Sequence, residues 1–150
     1  MDICFMSYCS RITLLFLPIL LTFSSLGLSG SINAVIASKI QVIHSNDNPD
    51  ICEFRTYGKK SLGTCSSFKH VKQDKVHMFI YGFEKDRMIF FAIPSNKTKG
   101  GDAEYKVKQL YYSNKAHNLK EDGICLVDED SYTYASCLAN GIIADYKMSF

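Results

Sequence analysis

Apolar and polar positions alternate most cleanly in AEYKVKQLYY, residues 103–112, where Tyr105 and Val107 fall on one face and Glu104, Lys106 and Lys108 on the other. A period of two predicts a half-buried strand. The C-terminus carries the same signal: SYTYASCLA and IIADYKMSF flank Asn140-Gly141, a dipeptide suited to the positive φ angles of a tight hairpin turn. In the last run Ile142, Ala144, Tyr146, Met148 and Phe150 share an apolar face, and Ile143, Asp145, Lys147 and Ser149 a mostly polar one. Residues 123–150 therefore read as a three-strand meander. VHMFIYGF and MIFFAIP, separated by EKDR, are apolar on both faces, with Met78 and Ile80 on one and Phe79, Tyr81 and Phe83 on the other. That pattern predicts central strands covered on each side. A buried helix competes for these runs, but their aromatic and β-branched content favours a hairpin.

The intervening segments read as connections. QVIHSNDNPD is a short strand ending in a turn at Asn48-Pro49, and PSNKTKGGD is a loop. SFKHVKQDK reads as a charged connection and SNKAHNLKEDG as a longer polar one with room for a helical turn. The fold class expected is mainly β, a small antiparallel sandwich or barrel-like meander.

The N-terminus changes the compartment. Arg11 precedes the apolar run ITLLFLPILLTFSSLGL, and small residues follow, with Val35 and Ala37 at the −3 and −1 positions of a cut before Ser38. A cut after Ala34 and an uncleaved anchor are the competing readings. Pro18 and the Ser/Gly-rich end of the run favour cleavage. The expected organisation is a signal peptide over 1–37 and one domain over 38–150, secreted or periplasmic. The formal net charge of +2 is unchanged by losing Asp2 and Arg11, so charge gives no reason to expect nucleic acid as partner.

Of the six cysteines, Cys4 and Cys9 lie in the leader, leaving Cys52, Cys65, Cys125 and Cys137. An even number in an exported chain points to disulfides. The close ligand pairs of a zinc site and the C-x-x-C of a redox site are both missing. Four cysteines allow three connectivities. A two-residue type II′ turn at Gly58-Lys59 sets Cys52 opposite Cys65, and the DEDS turn brings Cys125 near Cys137, which favours the pairs Cys52–Cys65 and Cys125–Cys137. The two cysteine-bracketed hairpins echo one another in spacing but share few identities, so duplication stays an open alternative.

Candidate chemistry is sparse. His70 and His77 flank VKQDKV and can face one another across a bend. A ribonuclease-type set of base, acid and cation can be drawn from His77, Glu84 and Arg87, but nothing in the spacing joins them, and a strand start plus turn residues is the preferred reading. Asp128, Glu129 and Asp130 lack the spaced calcium-loop pattern and read as a solvated hairpin tip. Lys59-Lys60 with Lys69, His70, Lys72 and Lys75 form a local basic patch that can contact an anionic glycan or membrane surface, although ordinary solubility explains it as well. Asn96-Lys97-Thr98 is a glycosylation sequon in a eukaryotic cell. No hydrolase motif occurs. The alternating C-terminus ending in Phe150 also fits an outer-membrane barrel, but a barrel of eight strands leaves no room for the long charged connections, and a mature form that does not span a membrane is preferred.

On Cys52, Cys65, the run 76–93, Gly123, Cys125, Val127 and Cys137, the chain resembles a loose group of short exported bacterial proteins of unknown function. The chain has no Trp, whereas that group often places one beside the third cysteine. A second resemblance is to cysteine-stapled effectors of plant-pathogenic fungi, some with a ribonuclease-like fold. The function expected is a non-enzymatic binding protein, inhibitor- or immunity-like or envelope-associated, with a protein or envelope component as partner and no cofactor. The alternative is a small secreted hydrolase or ribonuclease-like effector.

Overall fold

In the computed structural model, the described residues are 39–95 and 100–149. The expected signal peptide with Cys4 and Cys9, the Asn96 sequon and Phe150 lie outside them. The strands belong to one compact unit, Ile40–Phe150. They are β1 (Gln41–Asn46), β2 (Ile51–Thr56), β3 (Ser61–Thr64), β4 (Ser67–Gln73), β5 (Val76–Phe83), β6 (Asp86–Pro94), β7 (Ala103–Tyr112), β8 (Lys115–Val127), β9 (Tyr134–Ala139) and β10 (Ile142–Lys147). All are antiparallel in one sheet ordered β1-β4-β5-β6-β7-β8-β9-β10-β2-β3. From β4 to β10 each strand pairs with its successor, and β2 then returns to pair with β10.

The sheet curls into a half-barrel because its apolar residues occupy one face. Phe68, Phe79, Tyr81, Phe90, Val107, Leu110, Val127, Ala144 and Tyr146 are buried there in a single cluster. Opposite walls meet: Phe68 of β4 stacks on Tyr146 of β10 with ring centroids 4.3 Å apart. The Tyr81 hydroxyl of β5 donates to the Ala135 carbonyl of β9. The expected mainly β antiparallel fold is therefore present, with two disulfides.

Both bridges join neighbouring strands, at Cα–Cα distances of 4.9 Å for Cys52–Cys65 and 4.0 Å for Cys125–Cys137. Cys125 faces Cys137 in the β8–β9 register, and the Cys65 N–H donates to the Cys52 carbonyl. The first hairpin reaches that register by a different route from the expected two-residue turn. Thr56 and Lys60 close a three-residue loop, and the left-handed residue is Lys59 (φ 71°) rather than Gly58. An irregularity opposite Phe54 and Arg55 restores the pairing.

Two segments read as connections are strands. SFKHVKQ forms β4, whose inward Phe68 and His70 are fully buried while Lys69 points to water. Its polar residues hid a strand because one inward position is a histidine. SNKAHNLKEDG begins with a turn, Ser113 and Asn114 both at positive φ, and continues as the first half of β8 with no helical turn. The β5–β6 hairpin turns at Glu84-Lys85 as expected, but β5 is covered on one face only: His77, Phe79 and Tyr81 are buried while Met78 and Ile80 are half-exposed. A single curled layer has no second sheet to cover its outside.

Outside, the polar face of β10 carries one buried charge. The Asp145 carboxylate accepts from Arg55 on β2 at 2.7 and 2.8 Å and from Ser136 on β9 at 2.6 Å, tying three strands together. Gly123 marks the tightest approach between strands. A Cβ there would overlap the Leu138 carbonyl oxygen and lie 2.9 Å from Ala139 Cβ and 3.1 Å from Val107 Cβ. Gly123→Ala is expected to lower the unfolding free energy by about 1–3 kcal/mol, measured by urea denaturation, because backbone rather than a flexible side chain must yield.

Candidate functional site

The acidic run is the scaffold of a buried polar cluster. The Asp128 carboxylate accepts hydrogen bonds from the Ser131 and Thr133 hydroxyls, which hold its pKa down at about 2. The Tyr132 N–H donates to the Asp128 carbonyl at 2.8 Å. This closed turn fixes Tyr132 in the left-handed region (φ 52°) and drops its ring into the half-barrel. The run is thus a turn-former rather than a cation site. Glu129, itself exposed, accepts from the hydroxyl of buried Tyr105.

Inside, Tyr132 Oη lies 2.8 Å from His70 Nδ1, and His70 Nε2 lies 2.8 Å from His77 Nδ1. The bend expected between the two histidines is the β4–β5 hairpin. His44 on β1 stacks on Tyr132 at 4.2 Å, and its Nε2 lies 3.2 Å from the Tyr146 hydroxyl. His70 is fully buried and stacks on Phe79 at 4.4 Å. Burial first, then the nearby His77 and His44, lower its pKa to about 3. Burial also lowers His44, and burial followed by the Lys72 charge lowers His77 against an opposing effect of Glu129. Tyr132 is raised to about 12, mainly by burial. The cluster is therefore neutral at pH 7.

With neutral rings the order of protons along the series is assigned from the acceptors at its inner end. The Tyr132 hydroxyl has no acceptor among the described residues other than His70, so it donates to Nδ1. His70 then carries its proton on Nε2 and donates to His77 Nδ1, and His77 carries its own on Nε2. His77, only 6% exposed, borders a depression of about 360 Å³ shared with Lys72, Asp74, Lys75, Ile93 and Pro94.

The other residues singled out in the sequence lie apart from this cluster. Glu84 and Arg87 line a different depression at the far end of β5, roughly 20 Å of strand from His77. The basic patch is split: Lys69 is outside, His70 inside, Lys72 and Lys75 beside His77, and Lys59-Lys60 on another hairpin. Sequence reasoning missed Tyr132, His44, Tyr105 and Glu129, whose partners are distant in the chain. The aromatic spacing of Tyr132 and Tyr134 beside an acidic turn was the one local signal available.

A second concavity lies on the other side of the sheet order. The register of β8 with β9 runs from Ile124 to Val127, and β9 ends at Ala139, so residues 115–122 of β8 extend beyond it. The vacant position in line with β9 is a cleft of about 530 Å³. Asn118 and residues 120–124 form one side, and Leu138 to Gly141 with Tyr57 form the other. Tyr57 is 77% exposed, yet its N–H donates to the Gly141 carbonyl at 3.0 Å, which fixes the wall. In a hairpin closed by a two-residue turn, pairs alternate between bonded and non-bonded. Tyr112 and Lys115 close this one, so Ala116 and Asn118 direct their backbone N–H and C=O groups away from β7, and Asn118 borders the cleft, before the register breaks between Asn118 and Gly123. No family model, curated protein or solved structure matches this chain.

Proposed function

We propose that this chain is an exported, non-enzymatic binding domain that takes an extended segment of a protein partner into the cleft beside β8, in an inhibitor-, immunity- or envelope-type role. The observation that carries this reading is the vacant strand position beyond Ala139, with the outward-facing edge of Asn118 on one side and Tyr57 on the other. Strand addition supplies affinity through main-chain hydrogen bonds and specificity through alternate side chains. An anchored tyrosine is the residue type that concentrates binding energy. Of the sheet's two end strands, β3 is only four residues long, which blunts it as an edge. The two disulfide pairs are compatible with an oxidising compartment outside the cytoplasm. The apolar interior supports a mature form that does not span a membrane, since a lipid-facing barrel has a polar lumen.

A linear peptide display library panned on the oxidised protein tests this. Asn118→Pro and Ala116→Pro remove N–H groups that face away from β7 on the stretch of β8 that β9 leaves unpaired, so the fold tolerates them as edge-strand prolines. They are expected to weaken enriched peptides at least about tenfold, as is Tyr57→Ala, with the urea midpoint little changed. Peptides that bind all three variants at full strength would end the strand-addition reading.

A further inference from the structure

We propose that the depression bordered by His77, Lys72 and Lys75 binds a small oxyanion, with the His77 Nε2–H as the fixed donor and the two ammonium groups as the counter-charge. This site is independent of the cleft beside β8.

Three observations converge on it. With Tyr132 donating at its inner end, the hydrogen-bonded series Tyr132, His70, His77 is assigned its outer proton on His77 Nε2. No partner for that atom exists among the described residues. Every buried side-chain nitrogen or oxygen among them is hydrogen-bonded, so Nε2 reaches the surface, and the surface His77 shares is that of the depression. A ring 94% removed from water with one free donor at its exposed corner is a preformed recognition element, because its orientation is set before any ligand arrives.

The charges agree. Lys72 stands opposite His77 in the β4–β5 register, and Lys75 follows Asp74 in the connecting turn. Asp74 is the one acid at the rim, so the two lysines leave a net positive charge. Glu129, which accepts from the Tyr105 hydroxyl, lies outside the lining of the depression, although its negative charge also reaches His77. Ile93 and Pro94 form an apolar wall, which suits the organic part of an acid rather than a free ion alone. A neutral imidazole N–H beside ammonium groups donates to phosphate or carboxylate oxygen without a proton transfer.

Titration of the oxidised protein with inorganic phosphate, and separately with acetate, followed by nitrogen and proton NMR, decides the matter. His77 is expected to report as the Nε2–H tautomer. At least one of the two anions is expected to shift its resonances saturably and to raise its pKa, while those of His117, stacked on Tyr112, stay put. The stronger arm identifies the source, a phosphorylated or a carboxylated small molecule. Lys72→Ala with Lys75→Ala removes only side chains at the rim and is expected to weaken binding about tenfold, the loss of two charge-assisted contacts. Tyr132→Phe is expected to let His77 sample both tautomers and to weaken binding severalfold, which a purely structural hydroxyl would not do. A His77 found with its proton on Nδ1, no saturable shift with either anion, or binding indifferent to the lysine pair overturns the proposal.

Discussion

Replacing all four bridged cysteines by alanine is expected to leave the domain unfolded or barely folded at room temperature. The bridges close loops of sequence separation 13 and 12. The chain-entropy relation assigns each about 3 kcal/mol, so together they supply about 6 kcal/mol. Domains of this size have a net stability of only about 5–15 kcal/mol. Cys125 and Cys137 are also fully buried, so alanine there adds a loss of core contact. Urea denaturation followed by circular dichroism checks the expectation. A cooperative transition within about 2 kcal/mol of the oxidised protein would show that the sheet stands without its cross-links.

Acid is expected to destabilise the domain well above the pH at which carboxylates protonate. His70 has its folded pKa lowered to about 3 from an unfolded value of 6.5, so the native state holds it neutral while the unfolded chain takes up a proton. The stability this contributes is complete above pH 6.5 and is lost as pH falls toward 3. From pH 7 to pH 4 the loss from His70 alone is about 3 kcal/mol, with no allowance for solvent screening because the ring is fully buried. His44 and His77, lowered as well, act in the same direction. Urea midpoints measured across this range are expected to fall steeply, and His70→Phe to flatten the slope by about one proton. An unchanged slope in that variant would show that His70 is not the group responsible.

Local patterns carried most of the architecture. Asn140-Gly141 is a turn on which both residues hold positive φ, and the alternation of 103–107 is the inward and outward order of β7. Spacing about the turns indicated both cysteine pairs, although in the first hairpin a three-residue loop and a compensating irregularity replace the expected two-residue turn. What the pattern concealed was any strand whose inward residues are polar or few. β4 buries His70, and the first half of β8 offers only His117 and Leu119 to its inner side, so both resemble loops in hydropathy. Within β7 the phase slips after Val107, which lets Leu110 turn inward and spoils a strict period of two. The histidine cluster was half visible: His70 and His77 are seven residues apart, whereas Tyr132 meets His70 across 62 residues and His44 meets Tyr146 across 102. The cleft was invisible, since it exists because β9 stops pairing at one end of a longer neighbour. No residue type encodes that directly.

The return of β2 to β10 has a kinetic consequence. Residues 51–56 find their partners only at 142–147, so a ribosome must finish nearly the whole chain before the first cross-linked hairpin can dock. Up to that moment β4 to β9 can zip up one hairpin at a time and β1 can join β4, while the β2–β3 hairpin waits with no wall to lean on. A chain that stays open until its last strand emerges is in a suitable state to be threaded through a membrane pore before it closes.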